Sequence, residues 1–399
     1  MNQTTRRTCY ACGATHDTTA ARCDCGEPLW IATPTDGFWD DWPAGGPDSM
    51  WRYRDLLAVD PPTGLAGAAG GTPLVRTPPL DHGGVRVHVK YEGANPTGSF
   101  KDRGSAVGVA AALDDGAPAV GTVSHGNMAR SVAAHAASTS TPAVVLVPAD
   151  IPESRLAPIA RYGPTVLRVD GDYGRLYDRS LELGADLGVP FLNSDVPLRV
   201  EGQKTLAYEV CETFAPEVPD AVILPVSSGG NASAVWKGLR DLEGAGRIDR
   251  LPRLYFVQTA ACAPIAEAFD RGDDAVERVE RVGETIAYSI ANADPPSGTR
   301  ALAAARDTGG AVLAVDDDAI RTAQRRLARE AGLAVEPAGA TPLAALSQLR
   351  ETGNVEEGED VVLVGTGTEV AGGEVAPEDV AIVGMDGLRE RVEDLLASE

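Results

Sequence analysis

The fold of this chain is decided by one stretch of sequence, Asn95-Pro96-Thr97-Gly98-Ser99-Phe100-Lys101-Asp102-Arg103-Gly104. Residues 87–91 before it predict a β-strand, and the apolar residues 106–113 after it predict an α-helix. Asn-Pro and Thr-Gly predict a turn between the two elements. Lys101, one of four lysines in 399 residues, is therefore expected near a helix N-terminus. The positive end of the helix dipole favours a neutral amine there, and a neutral lysine amine forms Schiff bases with carbonyl compounds.

The rest of the chain alternates between predicted strands and predicted helices. Apolar runs of four to six residues predict strands, and longer amphipathic segments between them predict helices. The predicted strands are 119–123, 143–147, 166–169, 221–226, 254–257 and 361–364, and the predicted helices are 50–57, 128–137, 151–162 and 173–187. Such alternation with short loops predicts parallel sheets with helices on both faces.

The chain is strongly acidic, with a formal net charge of −23 at pH 7. This charge repels nucleic acid and anionic lipid, so we expect no nucleic-acid partner. The sequence has no apolar run of 18 residues, and no apolar segment follows Arg6 and Arg7. We therefore expect no membrane span, no secretion signal and a cytoplasmic location. The acid excess with few lysines also predicts a halophilic protein, whose surface stays hydrated in a salt-rich cytoplasm.

A glycine-rich loop, Ser227-Ser228-Gly229-Gly230-Asn231, follows one of the buried strands and opens a predicted helix. Its glycines allow backbone N–H groups to turn toward a phosphate, and the helix N-terminus favours the negative charge. The loop is not a nucleotide-binding motif, because no Gly-Lys-Ser/Thr follows and no G-x-G-x-x-G is present. The sequence therefore predicts a phosphate-binding loop, although many such loops are only tight turns.

Four cysteines near the N-terminus, Cys9, Cys12, Cys23 and Cys25, form two close pairs. Each pair is followed by glycine, and four thiolates with tight turns between them suggest a zinc ribbon. The second pair has one residue between its cysteines, whereas the usual zinc knuckle has two. A vestigial ribbon with reduced thiols is the alternative, and His16 is a spare candidate ligand.

The Lys101 stretch resembles the lysine segment of the fold-type II pyridoxal-phosphate (PLP) enzymes, and its full length is most similar to that of the threonine synthases. Three further segments resemble this family in the same order, namely 70–74, 193–205 and 336–340. The resemblance implies an α/β fold with two doubly wound parallel-sheet domains after a short Cys-rich segment. We expect this zinc-ribbon-like appendage at 1–33, a large PLP-binding domain at 34–103 and 194–399, and a small α/β domain at 104–193.

The resemblance also implies which residues hold the cofactor. Lys101 would bind PLP covalently, and loop 227–231 would bind its phosphate. Asn127 would hydrogen-bond the phenolic oxygen of the ring, and the hydroxyl of Thr366 would meet the pyridine nitrogen.

Three residues would bind the substrate by the same resemblance. Ser124 would contact the substrate directly, and Ser194 and Arg199 would bind a substrate phosphate. Arg suits this task because its planar guanidinium makes paired, charge-assisted hydrogen bonds. The family usually has a threonine after the asparagine of this loop, whereas this chain has Met128.

The implied activity is conversion of O-phospho-L-homoserine and water to L-threonine and phosphate, with Lys101 as the group that moves protons. The alternatives are a threonine or serine dehydratase, and a β-replacement enzyme such as a cysteate synthase. A non-catalytic PLP-binding paralogue is a third alternative, against which intact Lys101, Ser124, Asn127 and Asn231 argue. We expect a homodimer.

The charge of the chain predicts that its stability depends on salt. Repulsion between exposed carboxylates should weaken as the Debye length falls from about 10 Å in 0.1 M salt to about 3 Å in 1 M salt. We therefore expect the midpoint of thermal unfolding to rise with KCl concentration into the molar range. A midpoint that is the same at low and high KCl would contradict a halophilic design.

Overall fold

A six-stranded sheet lies at the centre of the computed structural model, which describes residues 6–18, 20–33, 48–124, 126–149, 151–170 and 173–368. Its strands are β4 Leu74–Arg76, β5 Arg86–Tyr91, β9 Ala221–Pro225, β10 Arg253–Thr259, β11 Ala311–Val315 and β12 Asp360–Gly365. The strand order is β11-β10-β9-β12-β5-β4, and all neighbours are parallel except β4 and β5.

Both faces of this sheet are buried, because successive side chains of a strand point to opposite faces. In β9, Val222 and Leu224 pack into one hydrophobic cluster, and Ala221 and Ile223 pack into another. The same division between the two clusters holds for β10 and β12. This double burial explains why the strands have apolar side chains at nearly every position.

A second, three-stranded parallel sheet contains β6 Val120–Val123, β7 Ala143–Pro148 and β8 Thr165–Val169. Its strand order is β6-β7-β8. The expected α/β class with parallel sheets is confirmed. The domain boundaries at 103/104 and 193/194 stay a prediction, and the parts of the predicted large domain at 34–47 and 369–399 lie outside the described residues.

Helices cover the two parallel sheets, and each predicted helix between residues 128 and 187 is confirmed with small shifts at its ends. The predicted helix at 50–57 is instead a 3₁₀ helix, Met50–Leu56. The α-helices are α1 Lys101–Asp114, α2 Asn127–Ser138, α3 Glu153–Ala160, α4 Tyr173–Leu187, α5 Pro197–Gln203, α6 Thr205–Phe214, α7 Gly230–Gly244, α8 Pro264–Arg271, α9 Gly298–Asp307, α10 Asp317–Ala331 and α11 Pro337–Glu351. No helix among the residues that the structure describes is long and apolar enough to cross a membrane.

The Cys-rich segment forms a small antiparallel sheet of β1 Arg6–Cys9, β2 Thr15–Asp17 and β3 Leu29–Ile31. This segment packs on the main core, and its predicted boundary at residue 33 stays a prediction. The indole of Trp30 is buried and donates a hydrogen bond to Ser233 Oγ at 2.9 Å. Its ring lies 5.1 Å from the ring of Trp236 in α7, and the ring of Tyr10 contacts both.

A buried ionic network fixes the start of α1. The guanidinium of Arg103 is fully buried and pairs with Glu92 at 2.7 Å and with Glu209 at 2.7 Å. Glu209 also accepts a hydrogen bond from Lys90 in β5 at 2.6 Å. Because Glu209 belongs to α6, one cluster of charges connects the central sheet with two helices. Lys101 precedes Arg103 by two residues, so the same network positions the candidate cofactor lysine.

Candidate active site

The sequence-predicted site residues converge on one cavity of about 880 Å³. It lies at the carboxyl ends of β6, β9 and β12 and at the N-termini of α1, α2 and α7, the edge where open α/β sheets bind ligands. The predicted residues that line it are Lys101, Ser124, Asn127, Ser194, Ser227, Ser228, Gly229, Gly230, Asn231 and Thr366. Arg199 is not among the lining residues, and His125 of the Ser124 loop lies outside the described residues.

The glycine-rich loop has the geometry of a phosphate cradle. Gly229 has φ of 85°, a conformation that favours glycine, and a side chain there would meet the carbonyl oxygen of Ser297 at 2.2 Å. Helix α7 begins at Gly230, so its first N–H groups face the cavity rim without helical partners. The buried side-chain amide of Asn231 has no hydrogen-bond partner among the described residues. These features fit the phosphate of PLP, because they supply donors that a ligand would satisfy.

Two predicted ring contacts, Asn127 and Thr366, meet at one carboxylate. Asn127 Nδ2 donates to Glu336 Oε2 at 2.7 Å, and Thr366 Oγ1 donates to Glu336 Oε1 at 3.4 Å. Burial raises the pKa of Glu336, while the hydrogen bond from Asn127 and the charge of Lys101 act in the opposite direction. Glu336 thus holds the two side chains at a fixed spacing. In the sequence, Glu336 was notable only as part of the family-like segment 336–340. No residue near it in the sequence indicates that it contacts Asn127 and Thr366.

Lys101 is the lysine whose amine faces the cavity. Its Nζ lies 4.4 Å from the centre of the Phe100 ring, and no carboxylate in the described part of the chain lies within 4.0 Å of it. The pKa of Lys101 is lowered to about 7, first by burial and second by the positive charge of Arg199, against the charge of Glu336. An amine with this pKa is partly neutral at neutral pH, as capture of a carbonyl compound requires.

Arg199 is fully buried next to the lysine segment. Its Nη2 donates to the backbone carbonyl of Lys101 at 3.2 Å, and its Nη1 donates to Ser105 Oγ at 3.0 Å. Its Nε has no partner among the described residues. The structure therefore places Arg199 against Lys101, whereas Ser194 lies on the cavity wall.

Several cavity residues carry no sequence signal for this site. Tyr177 and Arg22 both line the cavity and both approach the buried carboxylate of Asp195, which follows Ser194 directly. Asp195 Oδ2 also accepts a hydrogen bond from Ser297 at 2.9 Å. These contacts join residues far apart in the chain, so only the folded structure shows them.

The four N-terminal cysteines form a compact cluster whose sulfur atoms all lie within 4.8 Å of one another. Cys9 Sγ is 3.6 Å from Cys25 Sγ, and Cys12 Sγ is 3.7 Å from Cys23 Sγ. Tetrahedral zinc with bonds of about 2.3 Å places its sulfur ligands about 3.8 Å apart. The single residue between Cys23 and Cys25 therefore does not prevent a four-sulfur site. The imidazole Nε2 of His16 lies 3.3 Å from Cys23 Sγ, outside the group of four.

Comparison with known proteins agrees with this geometry. Residues 65–367 match the family model described as "Pyridoxal-phosphate dependent enzyme". The threonine synthase of Methanocaldococcus jannaschii is 38% identical over 370 residues, which are 90% of this chain and 91% of that protein. The threonine synthase of Mycobacterium tuberculosis is 36% identical over 341 residues, with 84% of this chain and 92% of that protein covered.

Solved structures share the same fold. A crystal structure of a threonine deaminase from T.th. aligns with a TM-score of 0.63 and 25% identity over 76% of this chain and 94% of that one. The structure of maize serine racemase aligns with a TM-score of 0.63 and 24% identity over 82% of this chain and 93% of that one.

The lowered pKa of Lys101 predicts how apo-protein takes up PLP. Covalent capture needs the neutral amine, so trapping by borohydride should rise with pH through about 7. Arg199→Gln removes a charge that lowers the pKa of Lys101, so the midpoint should move to higher pH. Glu336→Gln removes a charge that raises it, so the midpoint should move to lower pH.

Mass spectrometry of the trapped adduct measures this profile, and Lys101→Ala is the control that should give no adduct at any pH. A trapped adduct on the Lys101→Ala protein would identify another lysine as the anchor. An unmoved midpoint in Arg199→Gln would mean that the charge of Arg199 does not contribute to the lowered pKa of Lys101.

Proposed function

Since this chain belongs to the family of pyridoxal-phosphate-dependent enzymes, we propose that it acts as a threonine synthase. The reaction converts O-phospho-L-homoserine and water to L-threonine and phosphate. The observation that carries the proposal is a single cavity that holds Lys101, the phosphate cradle and Ser194 together. Identity of 33–38% to several threonine synthases over most of the chain supports it.

PLP, when bound, supplies an electron sink that stabilises negative charge on the substrate carbon next to the amine. The chain itself supplies the proton carrier. The Lys101 amine, with a pKa of about 7, can take the proton from Cα and later deliver a proton at Cγ. A second proton would leave Cβ as the phosphate group departs from Cγ with the electrons of the C–O bond. Protonation at Cγ makes it the methyl group, the hydroxyl of water adds at Cβ, and a proton returns to Cα. Asn127, Thr366 and Glu336 would orient the ring, since they form one hydrogen-bonded group.

The substrate phosphate needs a second anion position beside the cofactor loop. We propose that Ser194 contributes to it, because Ser194 lines the same cavity. Arg199 is the family-like candidate for the same phosphate, and its unpaired Nε is consistent with a ligand contact. Reaching that ligand would require its guanidinium to leave the contacts with Ser105 and Lys101.

The holoenzyme should release phosphate and form threonine in equal amounts from O-phospho-L-homoserine, with Lys101→Ala as the inactive control. Arg199→Ala should lower kcat/KM for this substrate by roughly 30- to 1,000-fold, because a buried charge-assisted contact is worth about 2–4 kcal/mol. Deamination of threonine should fall less. An equal loss of kcat/KM in the two reactions would mean that Arg199 acts only through its contact with Lys101. A parent enzyme that deaminates threonine well but releases no phosphate would favour the dehydratase alternative.

We also propose that the cluster of Cys9, Cys12, Cys23 and Cys25 binds a structural zinc ion. Their sulfur spacing supports this assignment, and the sheet of β1, β2 and β3 has only a small core of its own. Metal would therefore supply much of the stability of the segment. A salt-rich cytoplasm and a homodimeric state stay predictions from the sequence.

Metal analysis of protein made with zinc present should find about one zinc per chain. Cys9→Ser with Cys12→Ser should lose the metal, because two thiolate ligands are removed. Cys262→Ser is the matched control, since Cys262 is also a buried free cysteine but lies outside the cluster. Parent protein without zinc would favour the vestigial ribbon.

A further inference from the structure

Arg22 links the Cys-rich segment to the active-site cavity. It immediately precedes Cys23, and its side chain lines the same cavity as Lys101 and Ser194. The side chain is 36% exposed, so its guanidinium remains accessible to a ligand that enters the cavity.

Two contacts hold the guanidinium of Arg22 in place, and they leave most of its N–H donors without a partner among the described residues. Its Nη1 donates to the carbonyl oxygen of Gly26 at 3.1 Å, within the same turn of the segment. Its Nη2 lies 3.7 Å from Asp195 Oδ2, an ion-pair distance that is too long for a good hydrogen bond. Because a guanidinium has five N–H donors, most of its hydrogen-bonding capacity is left for an anion.

Asp195 does not need Arg22 to satisfy its own carboxylate. Its Oδ1 accepts a hydrogen bond from the Tyr177 hydroxyl, and its Oδ2 accepts one from Ser297. The carboxylate therefore acts as a fixed anchor for Arg22, and Asp195 directly follows Ser194 in the chain. The backbone at Ser194 also packs closely on the glycine-rich loop, because its carbonyl oxygen lies 2.3 Å from where a Cβ on Gly230 would be.

Two other arginines near the cavity make their described contacts with other groups. Arg155 stacks its guanidinium 3.8 Å above the ring of Tyr288, and Arg199 is buried against Lys101. Neither has a described contact with Ser194 or with Asp195. Of these three arginines, Arg22 is the one that lies next to Asp195, the residue that follows the predicted phosphate residue Ser194.

We propose that Arg22 binds the phosphate of the amino-acid substrate and that the Cys-rich segment is thereby part of the active site. This inference rests on the proposed function, because it assigns a residue to the phosphate of that substrate. A phosphomonoester dianion offers oxygen pairs that match the planar guanidinium. The packing of Trp30 on Ser233 holds the segment rigid, so Arg22 is positioned before the substrate arrives.

The test compares Arg22→Gln with Arg6→Gln in the holoenzyme at constant KCl. Arg6 is the matched control, because it is an exposed arginine in β1 of the same segment and does not line the cavity. Arg22→Gln should raise KM for O-phospho-L-homoserine about tenfold, as expected for one partly exposed charge-assisted contact. The Kd of inorganic phosphate, measured by calorimetry, should rise by a similar factor. Cofactor content and zinc content should match the parent, and Arg22→Lys should recover part of the loss.

The possible outcomes separate the roles that Arg22 could have. Unchanged KM and unchanged phosphate Kd in Arg22→Gln would overturn the proposal. Threonine has no phosphate. An equal rise of KM for the deamination of threonine would therefore overturn the proposal and favour a contact between Arg22 and the substrate carboxylate. If the parent forms no threonine from O-phospho-L-homoserine, the proposed function fails. In that case, weaker binding of inorganic phosphate by Arg22→Gln than by the parent still supports an anion site at Arg22. Equal binding by the two proteins overturns that site.

Discussion

The burial of Arg103 is the constraint on which the site depends. A guanidinium without water is tolerated only if its donors are paired, and here Glu92 and Glu209 accept from Nε, Nη1 and Nη2. Removing one partner of such a buried pair typically costs about 3–5 kcal/mol, a large part of the stability of a domain. The pairing also fixes the rotation of α1 about its axis. The backbone of Lys101, at the first position of that helix, therefore has a fixed place at the cavity.

Burial of the same helix start gives Lys101 its chemistry. The amine loses hydration without gaining a carboxylate partner, and the charge of Arg199 acts in the same direction, so the pKa of the amine falls. The lysine loop is tied to the end of β12, since Phe100 N–H donates to the carbonyl of Thr366 at 3.0 Å. Thr366 and Lys101 are therefore parts of one rigid unit. Stability and reactivity come from the same contacts, because the interactions that order the loop also exclude water from the amine.

Local patterns predicted the features that depend on neighbouring residues. The apolar runs placed β9, β10 and β12, and the glycine-rich loop placed the start of α7, because each signal lies within a few positions. Other features depend on contacts between distant segments, and local patterns missed them. Strand β11 was not predicted, and neither was the position of Arg22 at the cavity, which depends on the packing of the Cys-rich segment against α7. Arg199 had the expected family-like surroundings, yet its contacts to Lys101 and Ser105 could be seen only in the fold.

The four lysines show how the chain can direct carbonyl chemistry to one amine. Burial lowers the pKa of Lys204 as well, so a lowered pKa alone does not distinguish Lys101. The amine of Lys204 donates to Thr33, to Glu201 and to a backbone carbonyl, and it is completely enclosed. Lys90 and Lys237 are also buried and paired with carboxylates. Access to the cavity and the lack of a hydrogen-bond partner among the described residues therefore distinguish Lys101 from the other three lysines, and its lowered pKa leaves the amine partly neutral.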